Sequence, residues 1–127
     1  MAKQTLAALP DKFTIHSLPV HAEIPSQVLN ATLYFIGKTH DELSIVVPQA
    51  VQLDSEESDD NWRVLEVLGP LDLSMVGIMA QIGNVLAAAK ISIFIVSTFE
   101  TDYFLVKQKD IDSAAIALEK DGYKVIL

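Results

Sequence analysis

The amino-acid sequence predicts an α+β protein, with antiparallel sheets carrying helices on one face. Three observations point there. The second half reads strand, helix, strand, strand, helix, strand in its apolar periodicities. Both halves contain a pair of apolar runs joined by a short polar segment, the pattern of a hairpin. Half of the 127 residues are hydrophobic and none is cysteine, so the core has to form without a disulfide or a cysteine-bound metal.

Residues 13–16 read as the first strand, and Pro19, Pro25 and Pro48 keep the surrounding stretches from forming long helices. Residues 33–36 form the second strand, 38–42 a polar turn and 43–47 the returning strand. The acidic run 54–60 contains no apolar residue and is expected to be a solvated linker or loop. It lacks the glycine and the spacing of a calcium loop. Residues 62–68 alternate as a strand, with Val64, Glu66 and Leu68 on one side and Leu65 and Val67 on the other; Gly69-Pro70 breaks it.

Asp72 or Ser74 is placed to cap a helix over 74–89, in which Met75, Ile78, Met79, Ile82, Val85, Leu86 and Ala89 recur at helical spacing. The nearly unbroken apolar run 91–96 predicts a central strand covered on both faces. A polar turn over 97–102 leads to a partner strand at 103–106. Asp110 is placed to cap a second helix with Ile111, Ala114, Ala115 and Leu118 on one face, Gly122 to end it, and 123–127 to form the last strand. This order is the ferredoxin-like βαββαβ arrangement. The hairpins of the two halves resemble each other as a weak internal repeat, the second with one extra residue in its turn. The expected organisation is a partial, hairpin-based half with the acidic linker over 1–60 and a complete unit over 61–127.

The net charge is −8, with 17 acidic and 9 basic residues, and Arg63 is the only arginine. No Lys/Arg cluster is available to hold phosphates, so neither nucleic acid nor an anionic membrane is an expected partner. The uncharged stretch 73–89 is interrupted by Gly77, Gln81, Gly83 and Asn84 and falls short of the ~20 apolar residues of a membrane span. The apolar stretch at 6–9 is too short for a secretory signal. A reducing, cytoplasmic setting fits the absence of cysteine.

Gly69-Pro70-Leu71-Asp72 at the first strand-to-helix turn, then Ser97-Thr98-Phe99-Glu100-Thr101-Asp102-Tyr103 and Leu105-Val106-Lys107, resemble the small ACT-domain proteins. The resemblance is close over 62–125. Residues 13–18 and 41–47 resemble the degenerate ACT half of the same proteins, and the animal cytosolic arginine sensors are distantly similar. The resemblance implies an ACT fold, binding of an amino acid or similar small ligand at an interface between ACT units, pairing of units into continuous sheets, no cofactor and no catalysis. Carried onto this sequence, the implied ligand-binding residues are Gly69, Pro70, Leu71, Asp72 and Leu73 with Ser97, Thr98, Phe99, Thr101 and Asp102.

Their chemistry suits the task. A helix N-terminus offers N–H groups and a positive dipole end to a carboxylate, and Gly69 lets a ligand approach the backbone. Asp102, with Thr98 and Thr101 beside it, suits an ammonium or guanidinium group. Each residue also has a plainer reading: Gly69-Pro70 turns the chain, Asp72 caps the helix, and Thr98, Thr101 and Asp102 satisfy a turn.

The rivals are an enzyme and a pure interaction module. His16, His21 and His40 are the only histidines, and no third ligand stands at recognisable spacing from His16 and His21. Each is expected to be solvated or satisfied, with no metal bound. Arg63 lies in a strand with no glycine-rich loop before it, and no carboxylate pair is marked as an acid–base couple. The interaction-module reading rests on the helix over 74–89, which carries no charge and is expected to pack against the first half or a second subunit, giving a dimer.

Overall fold

The computed structural model describes residues 3–68 and 77–127. The chain forms two compact units. The first comprises residues 1–10 with 63–127, the second residues 11–62.

In chain order the elements are β1 (Thr5–Leu18), α1 (Ser26–Leu29), β2 (Phe35–Lys38), β3 (Leu43–Pro48), β4 (Glu57–Val67), α2 (Ile78–Ala88), β5 (Ile93–Ser97), β6 (Asp102–Lys107), α3 (Ile111–Lys120) and β7 (Lys124–Ile126), with a short 3₁₀ turn at Gln108–Asp110 before α3. The predicted order β4-α2-β5-β6-α3-β7 is present, and the fold class is the one the sequence implies.

In the first unit the strands neighbour one another in the order β7-β1-β4-β6-β5. Leu6, Leu65, Val67, Phe104 and Val106 pack with Ile82 and Leu86 of α2 and Ile111, Ala114 and Leu118 of α3. Burying each large aliphatic or aromatic side chain contributes about 1.5–3 kcal/mol, which is what holds both helices to one face. The second unit has the order β2-β3-β1-β4. Leu18, Val28, Leu43, Ile45 and Val47 form its core, and β1 and β3 pair antiparallel from Phe13↔Pro48 to Leu18↔Leu43.

Several expectations are corrected. The first strand runs over fourteen residues rather than 13–16. Pro10 is tolerated inside it because pairing with β7 ends at Ala7 and pairing with β3 begins at Phe13. On that side its missing N–H breaks no ladder. The acidic run is strand from Glu57 onward, because its backbone joins β1, with Glu56 N–H on the Ser17 carbonyl at 2.9 Å, while its carboxylates stay exposed. The second strand lies at Phe35–Lys38 rather than 33–36.

The run 91–96 is not a central strand. β5 pairs with β6 and ends the strand order of its unit, half-buried. A continuous apolar run does not distinguish an interior strand from an apolar edge. β7 runs parallel to β1, Thr5↔Lys124 to Ala7↔Ile126, so one pair departs from the antiparallel pattern. On α2, Ile82 and Leu86 are buried as expected, but Met79 is 42% exposed and Ala89 is exposed. Asp110 occupies the N-cap position of α3 without a side-chain capping bond. Gly122, at φ 97, follows α3 in the left-handed conformation that glycine adopts most easily. The caps expected from Asp72 or Ser74 lie outside the described residues.

Candidate functional site

The β5–β6 hairpin holds the described part of the expected site. Its register pairs Ser97 with Asp102 and Val96 with Tyr103. The turn is closed by the Thr98 N–H donating to the Thr101 carbonyl at 2.8 Å. The Thr98 hydroxyl reinforces it, donating to the Thr101 carbonyl at 3.2 Å and accepting the Thr101 N–H at 3.3 Å. The Thr101 hydroxyl turns inward and donates to the Val67 carbonyl at 2.5 Å. This ties the turn to the end of β4, two residues before Gly69. The Ser97 hydroxyl donates to Asp102 Oδ1 at 2.7 Å. Phe99, at the tip, is 81% exposed.

Ser97, Thr98, Phe99, Thr101 and Asp102 are thus brought together in one turn. Gly69, Pro70, Leu71, Asp72 and Leu73 lie outside the described residues. Thr98 and Thr101 spend their hydroxyls on the turn and on Val67, as the plainer reading of those two residues expects. Asp102 has one oxygen engaged by Ser97, which orients the carboxylate at the end of β6.

Three further groups gather here that were not among the expected ligand-binding residues. The Tyr103 phenol is pushed above its ordinary pKa by burial first, then by the carboxylates of Glu66 and Glu100. Glu66 comes from β4 and Glu100 from the turn, so the hairpin end is negative and electrostatically suited to a cationic group. The alternation of β4 put Glu66 on the face opposite Leu65 and Val67, but only strand pairing brings it near Tyr103.

Arg63 has a structural task. Its guanidinium donates to the Leu9 carbonyl from Nε at 3.3 Å and from Nη2 at 3.0 Å, and to Gln108 Oε1 at 3.2 Å. Of the two alternatives expected for His16, solvated or satisfied, the structure favours the satisfied one for half the ring: the residue is 7% exposed and Nδ1 meets Ser55 Oγ at 2.9 Å, while Nε2 is buried without a partner among the described residues. Among the described residues no three His, Asp or Glu side chains are grouped to hold a metal ion, and no helix is long and apolar enough to cross a membrane.

Among the described residues, concavities lie elsewhere as well. A groove of about 620 Å³ is lined by Gln81, Asn84 and Ala88 of α2 and by Ala117 and Lys120 of α3. A smaller hollow of about 210 Å³ is lined by Ile15, Ser17, Ser44, Glu57 and Asp59 in the second unit. Neither includes the β5–β6 turn.

The chain is 32% identical over 117 residues to the human protein named cytosolic arginine sensor for mTORC1 subunit 1, matching 85% of this chain and 36% of that protein. It therefore spans about a third of that relative's length. A solved structure of a protein from Agrobacterium tumefaciens superposes with a TM-score of 0.92 at 28% identity, covering 100% of this chain and 95% of that one. The regulatory subunit of aspartate kinase from Thermus thermophilus superposes with a TM-score of 0.67 at 13% identity, covering 94% and 98%, a likeness of fold alone. The ACT domain family profile matches residues 57–120, from the start of β4 to the end of α3. With half of its length matched, and with the βαββαβ order that the profile spans, the chain belongs to the ACT domain family.

Proposed function

We propose that this protein is a cytoplasmic regulatory module that binds an amino acid or a similar small zwitterion and catalyses nothing itself. The observation that carries the reading is the β5–β6 turn. Asp102 is oriented by Ser97, and Thr101 anchors the turn to the end of β4. In this reading the ligand carboxylate rests on backbone N–H groups near Leu71 to Leu73, and Asp102 takes the positive group. Phe99 shields the site, and Gly69-Pro70 admits the ligand backbone. Asp72 caps the helix or meets the ammonium group. The acidic surroundings of Tyr103 and the net charge of −8 favour a cationic or zwitterionic ligand over a polyanion.

A thermal-shift screen of the standard amino acids is the test, since a ligand that binds only the folded state raises stability with its concentration relative to Kd. At least one is expected to raise the melting temperature, and Asp102→Ala to abolish that rise while the protein stays folded. Losing the charge partner of a buried group costs about 2–5 kcal/mol, and the half-exposed Asp102 belongs at the lower end of that range. Unchanged binding by a folded Asp102→Ala variant overturns the site.

A second reading is an oligomerisation module that works without ligand. It is favoured by α2, which carries no charge from Ile78 to Ala88 and leaves Met79 and several small residues exposed. In that case no amino acid shifts the melting temperature, and only protein concentration does. Both readings include a homodimer.

A further inference from the structure

The outer face of α2 is unlike that of α3. Of the eleven residues Ile78–Ala88 only Ile82 and Leu86 are buried, and none is charged. α3 is one residue shorter, yet it carries Asp112, Glu119 and Lys120 on its exposed side. An exposed helix face is normally rich in charge, so the uncharged side of α2 suits contact better than water. The groove of about 620 Å³ runs between that side and α3. Its floor is Ala88, Ala89 and Ala117, small enough for another helix to approach to about 8–10 Å between axes. Gln81 and Asn84 stand along it, and their side-chain amides make no hydrogen bond among the described residues.

Charge indicates what makes the contact. The chain is −8 overall, yet this groove is cationic. Lys3 and Lys120 line it, and the carboxylate among its lining residues, Asp121, is already engaged by Lys3 at 2.6 Å. Lys120 has no ion pair among the described residues. Asp112 and Glu119 of α3 do not line the groove. We propose that it docks a helix of another protein, one that presents small or apolar residues flanked by Asp or Glu. The apolar residues pack on the alanine floor, the carboxylates meet Lys120 and Lys3, and the Gln81 and Asn84 amides donate to acceptors beside them. The acidic surface elsewhere repels such a partner, so the lysines fix where it lands. A second copy docked across a two-fold axis sets one cationic groove against another, so charge favours a different chain. The inference goes beyond the amino-acid reading and does not rest on it. A regulatory module has to pass its state to another molecule, and this surface lies apart from the β5–β6 turn.

Two synthetic peptides of about 18 residues, long enough to hold a helix in water, supply the test. They share one alanine–leucine face; one is flanked by Glu, the other by Lys. By fluorescence anisotropy with the wild-type protein, the Glu peptide is expected to bind saturably and the Lys peptide not to bind. Lys120→Glu is expected to weaken the Glu peptide about tenfold, an attraction replaced by a repulsion. Lys38→Glu on β2 changes the net charge equally and is expected to leave binding unchanged. Ala88→Trp fills the floor at an exposed position and is expected to abolish it. No amino acid is present, so failure here is distinct from failure of the ligand reading. If a variant fails to fold, the peptide pair on the wild type decides. Equal binding of the two peptides, no binding of the Glu peptide, or equal weakening by Lys120→Glu and Lys38→Glu overturns the proposal. So does a wild-type dimer that Ala88→Trp dissociates, because the face then belongs to a second copy.

Discussion

In the β2–β3 hairpin the Thr39 N–H donates to the Glu42 carbonyl at 3.0 Å, and in the β5–β6 hairpin the Thr98 N–H donates to the Thr101 carbonyl at 2.8 Å. Both turns separate their strands by the same number of residues, 39–42 and 98–101, so the extra residue expected in the second is absent. In both, the threonine hydroxyl holds the turn from inside. Thr39 Oγ1 accepts the N–H groups of Asp41 and Glu42, each at 3.2 Å; Thr98 Oγ1 serves Thr101.

The differences lie in what each frame carries. The first turn ends in Glu42, follows a strand with Gly37 and Lys38, and exposes His40. The second ends in Thr101, which reaches Val67, then Asp102, which is held by Ser97, and its outer strand is uncharged. The same local chemistry supports a turn in both units, and in the second that turn also carries the candidate site residues.

Grafting Thr39-His40-Asp41-Glu42 in place of residues 98–101 tests that comparison most severely. The turn bond depends on backbone and a leading threonine, so the grafted protein is expected to fold. Thermal shift by the amino-acid ligand of the wild type is expected to vanish, because the Thr101 anchor and Phe99 are gone. The reciprocal graft into the first turn should leave the ligand response intact, as should His40→Ala. A full response after the first graft breaks the comparison.

Thr101→Val is the smaller, sharper version. It removes the bond to Val67 and leaves a carbonyl under-satisfied, at an expected cost of about 1–2 kcal/mol in urea unfolding. Thr39→Ala, whose N–H partners are exposed to water, should cost only about 0.5 kcal/mol. Equal costs mean that the Val67 anchor adds nothing.

The smallest effect near neutrality belongs to His16, on the β1 strand beside the first hairpin. Burial lowers its pKa below the ordinary 6.5. The unfolded chain therefore binds this proton more readily than the folded one. Stability from this group is complete above pH 6.5 and is lost as pH falls below 6.5 toward the folded-state pKa. Denaturant midpoints measured from pH 7.5 to pH 5 should fall in the wild type and flatten in His16→Phe. Parallel curves for the two proteins refute this.

Much of the fold was legible because it depends on short-range periodicity. The spacing of Ile82 and Leu86, the pattern of Ile111, Ala114, Ala115 and Leu118, and the glycine at 122 are each local, and each predicts its element correctly. The paired apolar runs read at 33–36 with 43–47 and at 91–96 with 103–106 specify hairpins whatever surrounds them, although the strands themselves begin or end a residue or two away. Residues 97–102 stood out in the chain as a motif, and the structure brings them together as one turn.

What the chain could not reveal depends on partners distant in sequence. Glu57 to Asp60 look like loop residues because all four are polar and exposed; they are strand because β1 takes their backbone. Residues 93–96 look interior because both faces are apolar, yet no periodicity states whether a second neighbour exists, and the sheet order makes β5 an edge. Glu66 nears Tyr103, Thr101 reaches Val67, and Arg63 finds Leu9 only through strand pairing across the fold. Apolar patterning determines which elements form; the register and neighbours of those elements, set by tertiary hydrogen bonding and packing, decided where charge collects and which edge is left to pair.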